Sequence, residues 1–247
     1  MSEEARPFPV RGIVEGFYGR PWTHEQRLDA IEFIARHGMN RYVYAPKDDP
    51  FLRRLWREPH DPASLAVVGE LVTACHDRGV DFVYCISPGL TVRYSGDDDF
   101  QALLRRYADV AALGVRRVGL LLDDIPGSLQ HDADRAEFGG LIEAQAHLIE
   151  RVRAALPPGT ELMICPTRYF GYGDEPEITA FGRAVADDVV ITFTGRQICS
   201  TTIDLDDARR FEAATAHRPV YWDNYPVNDV AMTGQLHIGP YRGRSAD

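Results

Sequence analysis

Lysine is almost missing from this sequence. Lys47 is the single lysine, and arginine supplies the other 26 of the 27 basic residues. Arginine therefore serves wherever a surface cation is needed, and the lone lysine calls for a local reason, chance being the alternative. Basic charge is short altogether. Against 37 acidic residues the net charge is −10, which argues against non-specific attraction to a nucleic-acid backbone or an anionic membrane. The four cysteines, Cys75, Cys85, Cys165 and Cys199, form no CxxC pair, and no histidine pair stands near them at zinc-site spacing. Reduced thiols and no structural metal are expected. No apolar run reaches the roughly 18 residues of a membrane span, and the acidic start lacks the apolar stretch of a secretion signal. These absences predict a soluble, cytoplasmic protein. No GxGxxG follows the first strand, no GxxxxGK[ST] occurs, and the eight histidines show neither HExxH spacing nor a Ser-His-Asp order, so no cofactor is expected.

What is present suits a buried core. The chain has 247 residues, 45% of them hydrophobic, the size of one (β/α)8 barrel or of two small domains. Short apolar runs alternate with longer amphipathic stretches throughout, which is the rhythm of βα units on a parallel sheet. Strands are predicted at Gly12 to Phe17, Arg41 to Ala45, Val80 to Ile86, Arg116 to Leu122, Glu161 to Cys165, Val189 to Thr192 and Pro219 to Trp222. Helices are predicted at Thr23 to His37, Pro62 to Arg78, Asp98 to Leu113, Asp134 to Leu156, Pro176 to Ala186 and Asp204 to Thr215. Thr23 and Asp204 are candidate N-caps, and Gly38, Gly79 and Gly114 each stand where a helix must stop before the next strand. No linker interrupts the pattern. The reading is a single α/β barrel of the TIM type over residues 12–247 behind a short lead-in, residues 1–11, with a doubly wound open sheet as the structural alternative.

Barrel chemistry gathers at the carboxyl ends of the strands, and there the sequence is polar, acidic and aromatic. The sharpest feature is Asp123-Asp124, where a run of three leucines drives into two adjacent carboxylates. Two acids sharing a semi-buried site cannot both ionise cheaply, so one is expected to hold a proton and act as general acid while the other stays charged. The plainer reading is a solvated loop, as expected for Asp97-Asp98-Asp99 at a helix start. Neighbouring acids do not suit an ordinary retaining glycosidase, whose two carboxylates flank the scissile bond from separate elements. They do suit substrate-assisted hydrolysis. There the 2-acetamido group of the sugar is the nucleophile, one acid orients it, and the other protonates the leaving oxygen. Tyr18, Tyr169 and Trp222 can line a sugar pocket or simply pack in the core. Trp22 and Trp56 read as structural, Cys85 and Cys165 as small buried strand residues, and the histidines as solvated or core side chains.

Taken together, Val14-Glu15-Gly16-Phe17-Tyr18-Gly19-Arg20-Pro21-Trp22, Tyr44-Ala45-Pro46-Lys47-Asp48-Asp49-Pro50, Ile86-Ser87-Pro88-Gly89, Leu122-Asp123-Asp124-Ile125 and Trp222-Asp223-Asn224 resemble the catalytic domain of glycoside hydrolase family 84. That family contains the protein O-GlcNAcases and bacterial β-N-acetylglucosaminidases, some labelled hyaluronidase, and the match runs from about Gly12 to Arg244. The resemblance implies a retaining exo-β-N-acetylglucosaminidase acting through an oxazoline on a glycan or glycoprotein bearing N-acetylglucosamine. It implies that Asp123 orients and polarises the acetamido group and that Asp124 is the general acid and base. Gly16, Lys47, Asn224 and Asp229 would hold the sugar hydroxyls or the acetamido region, Tyr169 would bond the acetamido oxygen, and Trp222 would form a pocket wall. The lone lysine then has its reason: a compact ammonium where a planar guanidinium would not fit. In the family the barrel continues beyond Gly239-Pro240-Tyr241-Arg242-Gly243-Arg244 into a further strand and helix carrying a sugar-binding asparagine. The resemblance therefore implies a barrel lacking its last strand and helix, with Leu236 to Tyr241 a loop. Two other readings stand beside it: a non-catalytic N-acetylglucosamine-binding module, and an unrelated barrel using Asp123 and Asp124 as ligands of a divalent metal.

Overall fold

The computed structural model describes residues 8–224 and 243–244. Seven strands pair in sequence order and every pair is parallel: β1 (Gly12–Glu15), β2 (Arg41–Tyr44), β3 (Asp81–Ile86), β4 (Arg117–Leu121), β5 (Glu161–Cys165), β6 (Val190–Phe193) and β7 (Val220–Tyr221). The connections carry helices α1 (His24–Arg36), α2 (Pro62–His76), α3 (Asp97–Ala112), α4 (Asp132–Glu137), α5 (Leu141–Ala155), α6 (Pro176–Ala184) and α7 (Leu205–Thr215). The result is an α/β half-barrel. Its curl is visible at the two outer strands: a Cβ on Gly16, just after β1, would lie 2.4 Å from Cζ2 of Trp222, just after β7.

Alternation along each strand divides the core in two. Tyr42, Tyr44, Phe82, Tyr84, Leu120, Leu122, Ile164 and Ile191 face outward and pack with helix residues such as Ile31, Ile34, Leu71, Leu103 and Leu148. Val43, Ala45, Val83, Cys85, Leu121, Met163 and Cys165 face inward as a second, smaller cluster. At the strand starts the inward positions are charged. Arg41 pairs with Glu161 at 2.8 Å and Asp81 at 3.6 Å, and Arg117 pairs with Asp81 at 2.7 Å and Glu161 at 3.5 Å, closing one end of the interior with alternating charge.

The predicted caps and stops are where the chemistry put them. The Thr23 side chain accepts from the Gln26 amide in a capping box, and that of Asp204 accepts from Asp207. Gly38, Gly79 and Gly114 all take left-handed torsions after their helices. Two expectations need correction. The long helix predicted from Asp134 to Leu156 is two helices, α4 and α5, parted at Phe138-Gly139-Gly140, because paired glycines lower helix propensity. The short α4 also has its own task, since buried Asp134 accepts from the Tyr94 and Ser95 amides and the Ser95 hydroxyl. Nor is Asp97-Asp98-Asp99 wholly solvated: Asp99 is fully buried and takes two bonds from Arg57, at 2.6 and 2.7 Å, and one from the Arg93 amide at 2.7 Å. Trp56 is buried, as expected of a structural tryptophan, and donates to Thr91. Residues 225–242, including Leu236 to Tyr241, lie outside the described residues. Among the described residues no helix is long and apolar enough to cross a membrane.

Interior space is short at Gly119 of β4, where a Cβ would sit 2.4 Å from the Cys85 sulfur. Gly119→Ala is accordingly expected to destabilise the fold by about 1–3 kcal/mol through overpacking, measured by urea denaturation. An unchanged midpoint would contradict this packing.

Candidate active site

The site begins at the end of β4. Arg117, Gly119 and Leu121 point inward and Leu120 and Leu122 outward, so simple alternation would leave Asp123 inside and send Asp124 toward the helices. The backbone prevents it. Asp124 has φ 54°, one of two non-glycine residues with positive φ among those described. This left-handed turn, which Asp tolerates better than most residues, places both carboxylates on one cleft. The cleft measures about 240 Å³ and is lined by loops that follow the strands. That is below the roughly 300–1,000 Å³ of pockets for drug-sized ligands and suits a single sugar ring.

The two acids sit in unlike surroundings. Asp123 is only 9% exposed, and its Oδ2 pairs with the ammonium of Lys47, itself 3% exposed. Its other oxygen is buried without a hydrogen-bond partner. Buried acceptors are usually satisfied; this oxygen is one of several buried side-chain atoms without a partner among the described residues, and it belongs to a residue that lines the cleft. Asp124 lies nearer the open side. The Tyr18 hydroxyl donates to its Oδ2 at 2.6 Å and the Tyr169 hydroxyl to its Oδ1 at 2.9 Å. Partial burial would raise the Asp124 carboxyl, but these two bonds and the charges of Lys47 and Arg53 outweigh it and hold the group below the usual carboxylate range. The expectation that one acid keeps its proton is thus not met by Asp124 in this state. Asp123 has an ammonium beside it and Asp124 two phenols. The phenols move the opposite way: burial and then the bond to Asp124 push Tyr18 up to about 12, and the same causes raise Tyr169.

The remaining walls come from distant loops. Lys47, Tyr169, Trp222, Asn224 and Gly16 all line the cleft, as do Tyr18, Thr194, Ile198, Cys165 and Cys199. A side chain on Gly16 would collide with Trp222, so this glycine is what lets the indole close the wall. Asn224 donates to the Ile198 carbonyl at 3.0 Å, and its neighbour Asp223 is clamped by Arg244, which also bonds the Ser200 and Thr201 carbonyls. Asp229 lies outside the described residues. Nothing in the sequence singles out the cleft residues Ile198 and Cys199, which sit on an irregular loop, or Arg53, one arginine among many. Glu15, which falls in the first predicted strand with no role assigned to it, is a fully buried anchor: it accepts from Arg27, from the Tyr42 hydroxyl and from the Trp22 amide, fixing the loop that carries Tyr18. Among the described residues no group of three or more His, Cys, Asp or Glu side chains is placed to hold a metal ion; the two carboxylates are engaged by an ammonium and two phenols instead.

The β-N-acetylglucosaminidase family model matches residues 11–247. The chain belongs to that family of glycoside hydrolases, glycoside hydrolase family 84. Among its relatives in the family, the protein O-GlcNAcases of Rattus norvegicus and Mus musculus are each 31% identical over 242 residues, which is 96% of this chain and 26% of theirs. The chain thus spans about a quarter of the length of those relatives. A solved mutant of the O-GlcNAc hydrolase of Thermobaculum terrenum superposes with a TM-score of 0.94 at 36% identity, over 97% of this chain and 52% of that one.

A depressed folded-state value means that ionised Asp124 contributes stability above its unfolded value of about 3.9, and that this contribution is lost as pH falls through the lower folded value. Tyr169→Phe removes one donor and is expected to raise the Asp124 midpoint. Carboxyl ¹³C NMR titration reads it, and an unmoved midpoint would contradict the assigned bond.

Proposed function

We propose that this chain is the catalytic part of a retaining exo-β-N-acetylglucosaminidase, O-GlcNAcase-like, that removes a terminal N-acetylglucosamine from a glycan or glycoprotein by substrate assistance. The observation that carries the reading is the pairing of unlike carboxylates on one ring-sized cleft, above all the buried, unpartnered oxygen of Asp123. That oxygen is suited to accept the N–H of the 2-acetamido group, with Lys47 paired to the other oxygen of the same carboxylate. Residues 12–247 form one catalytic domain in this reading, the described strands being the first seven of a (β/α)8 barrel.

The acetamido carbonyl oxygen attacks C1, forming the C1–O bond of an oxazoline as the bond from C1 to the aglycone oxygen breaks. Asp124, protonated from solvent, delivers its proton to that leaving oxygen. Tyr169 turns its O–H from Asp124 to the acetamido oxygen, which both steadies the nucleophile and frees the acid. Water then adds to C1 while Asp124 takes its proton, the oxazoline C1–O bond breaks, and the product keeps the β configuration. Trp222 packs on the apolar face of the ring, and Asn224, Gly16 and Asp229 contribute to holding its hydroxyls or acetamido group.

The test uses aryl 2-acetamido-2-deoxy-β-D-glucopyranosides of graded leaving-group ability. Asp124→Asn is expected to lose about 10²–10⁴-fold on poor leaving groups and much less on good ones, while Asp123→Asn loses on all alike. Equal losses for the two variants across the series would overturn these roles. A folded wild type that binds N-acetylglucosamine without releasing the aryl group would favour a binding module instead.

A further inference from the structure

Arg53 lies on the loop between β2 and α2 and does not line the cleft, yet it reaches the acid through one intermediary. Its Nη1 donates to the Tyr18 hydroxyl oxygen at 2.7 Å, its guanidinium carbon lies 5.2 Å from the centre of the Tyr18 ring, and the same hydroxyl donates to Asp124 Oδ2 at 2.6 Å. The phenol is therefore polarised in one direction. With a cation on its oxygen, its proton points at Asp124, and it is a poor acceptor for a proton from Asp124 in return. Tyr18 is itself fixed from behind: the next amide, on Gly19 at φ 101°, donates to Asp48 at 2.7 Å, and Glu15 anchors the far side of the loop.

We propose that Arg53 is a positioning residue that biases Asp124 toward its charged form through the Tyr18 hydroxyl, and so sets the balance between the acid step and the base step of the reaction. The inference rests on the function proposed above. Asp124 must carry a proton when the aglycone leaves and be ionised when water attacks C1. The Arg53–Tyr18 arm favours the second state, so it supports oxazoline hydrolysis and sets the upper pH limit of the first step.

The groups that face Asp124 come from several elements: Tyr18 after β1, Lys47 and Arg53 after β2, neighbouring Asp123, Cys165 at the end of β5 and Tyr169 after it. Of these, Arg53 is the cation that does not itself line the cleft, whereas Lys47 lines it and contacts Asp123 directly. That makes it separable by experiment.

The pH profile of kcat/KM for an aryl N-acetylglucosaminide is measured for wild type, Arg53→Met, Arg53→Lys and Tyr18→Phe. Arg53→Met is expected to move the alkaline limb up by roughly 0.5–1 pH unit, less than the roughly 1–3 that a directly paired charge imposes on a carboxylate, because Arg53 acts through Tyr18. Arg53→Lys should restore part of the wild-type profile, and Arg53→Met placed on Tyr18→Phe should add little further shift. A purely structural role would lower the rate at every pH and leave the limb in place, and that result overturns the proposal. The Asp124 midpoint from carboxyl ¹³C NMR gives the same answer without turnover: it should rise in Arg53→Met. If Asp124→Asn retains full activity, the function itself is wrong. If Asp124→Asn is inactive while neither the limb nor the midpoint moves in Arg53→Met, only the role of Arg53 is wrong.

Discussion

One backbone torsion organises the site. At φ 54°, Asp124 breaks the in-and-out alternation of β4 and turns a side chain bound for the helix layer back over the cleft beside Asp123. A non-glycine residue in this region costs of order 1–3 kcal/mol, and the structure supplies compensation on the spot through two phenolic O–H bonds to its carboxylate. Asparagine shares the tolerance of aspartate for this conformation, so Asp124→Asn alters the charge while leaving the turn intact. Without the turn the two acids would lie on opposite faces of the sheet, and neither Tyr18 nor Tyr169 could reach the second one.

Around this turn the loops are held by a recurring device: a buried carboxylate that gathers donors from segments far apart in sequence. Glu15 ties α1 and β2 to the loop after β1, Asp99 ties the loops after β2 and β3, and Asp134 ties the loop after β3 to α4. Arg244 does the converse, a cation joining Asp223 to two carbonyls of the loop after β6. Each anchor is satisfied by several bonds, which is the condition for a buried charge to fix a geometry. Catalytic groups on loops need such support, because a shift of about 1 Å at the reacting centre can cost on the order of 10²-fold in rate.

The strands, most of the helices and their stops were legible because they depend on local chemistry: near-continuous apolar runs for strands covered on both faces, hydroxyl or carboxylate caps, and glycine where φ must turn positive. Asp123-Asp124 stood out for the same reason, as charge placed where a strand must end, and Lys47 stood out by being alone. The rest depends on partners that sequence distance hides. Tyr18 reaches Asp124 from 106 residues away and Tyr169 from 45, so the charge state of that acid could not be read from the dipeptide. The burial of Asp99 depends on Arg57, and the importance of Arg53 on Tyr18; neither arginine differs in sequence from the many on the surface. The split between α4 and α5 was written in Gly139-Gly140, but the apolar periodicity on both sides outweighed it.

The proposed reaction makes the sugar's own acetamido oxygen the nucleophile, with the two carboxylates arranged around it. It is tested most directly by replacing the N-acetyl group of an aryl glucosaminide with mono-, di- and trifluoroacetyl groups and following aryl release at fixed pH. Fluorination weakens that oxygen as a nucleophile while changing the ring and leaving group little. The wild-type rate is expected to fall steeply with each fluorine. A rate indifferent to fluorine would contradict substrate assistance and place the nucleophile on the protein or on water.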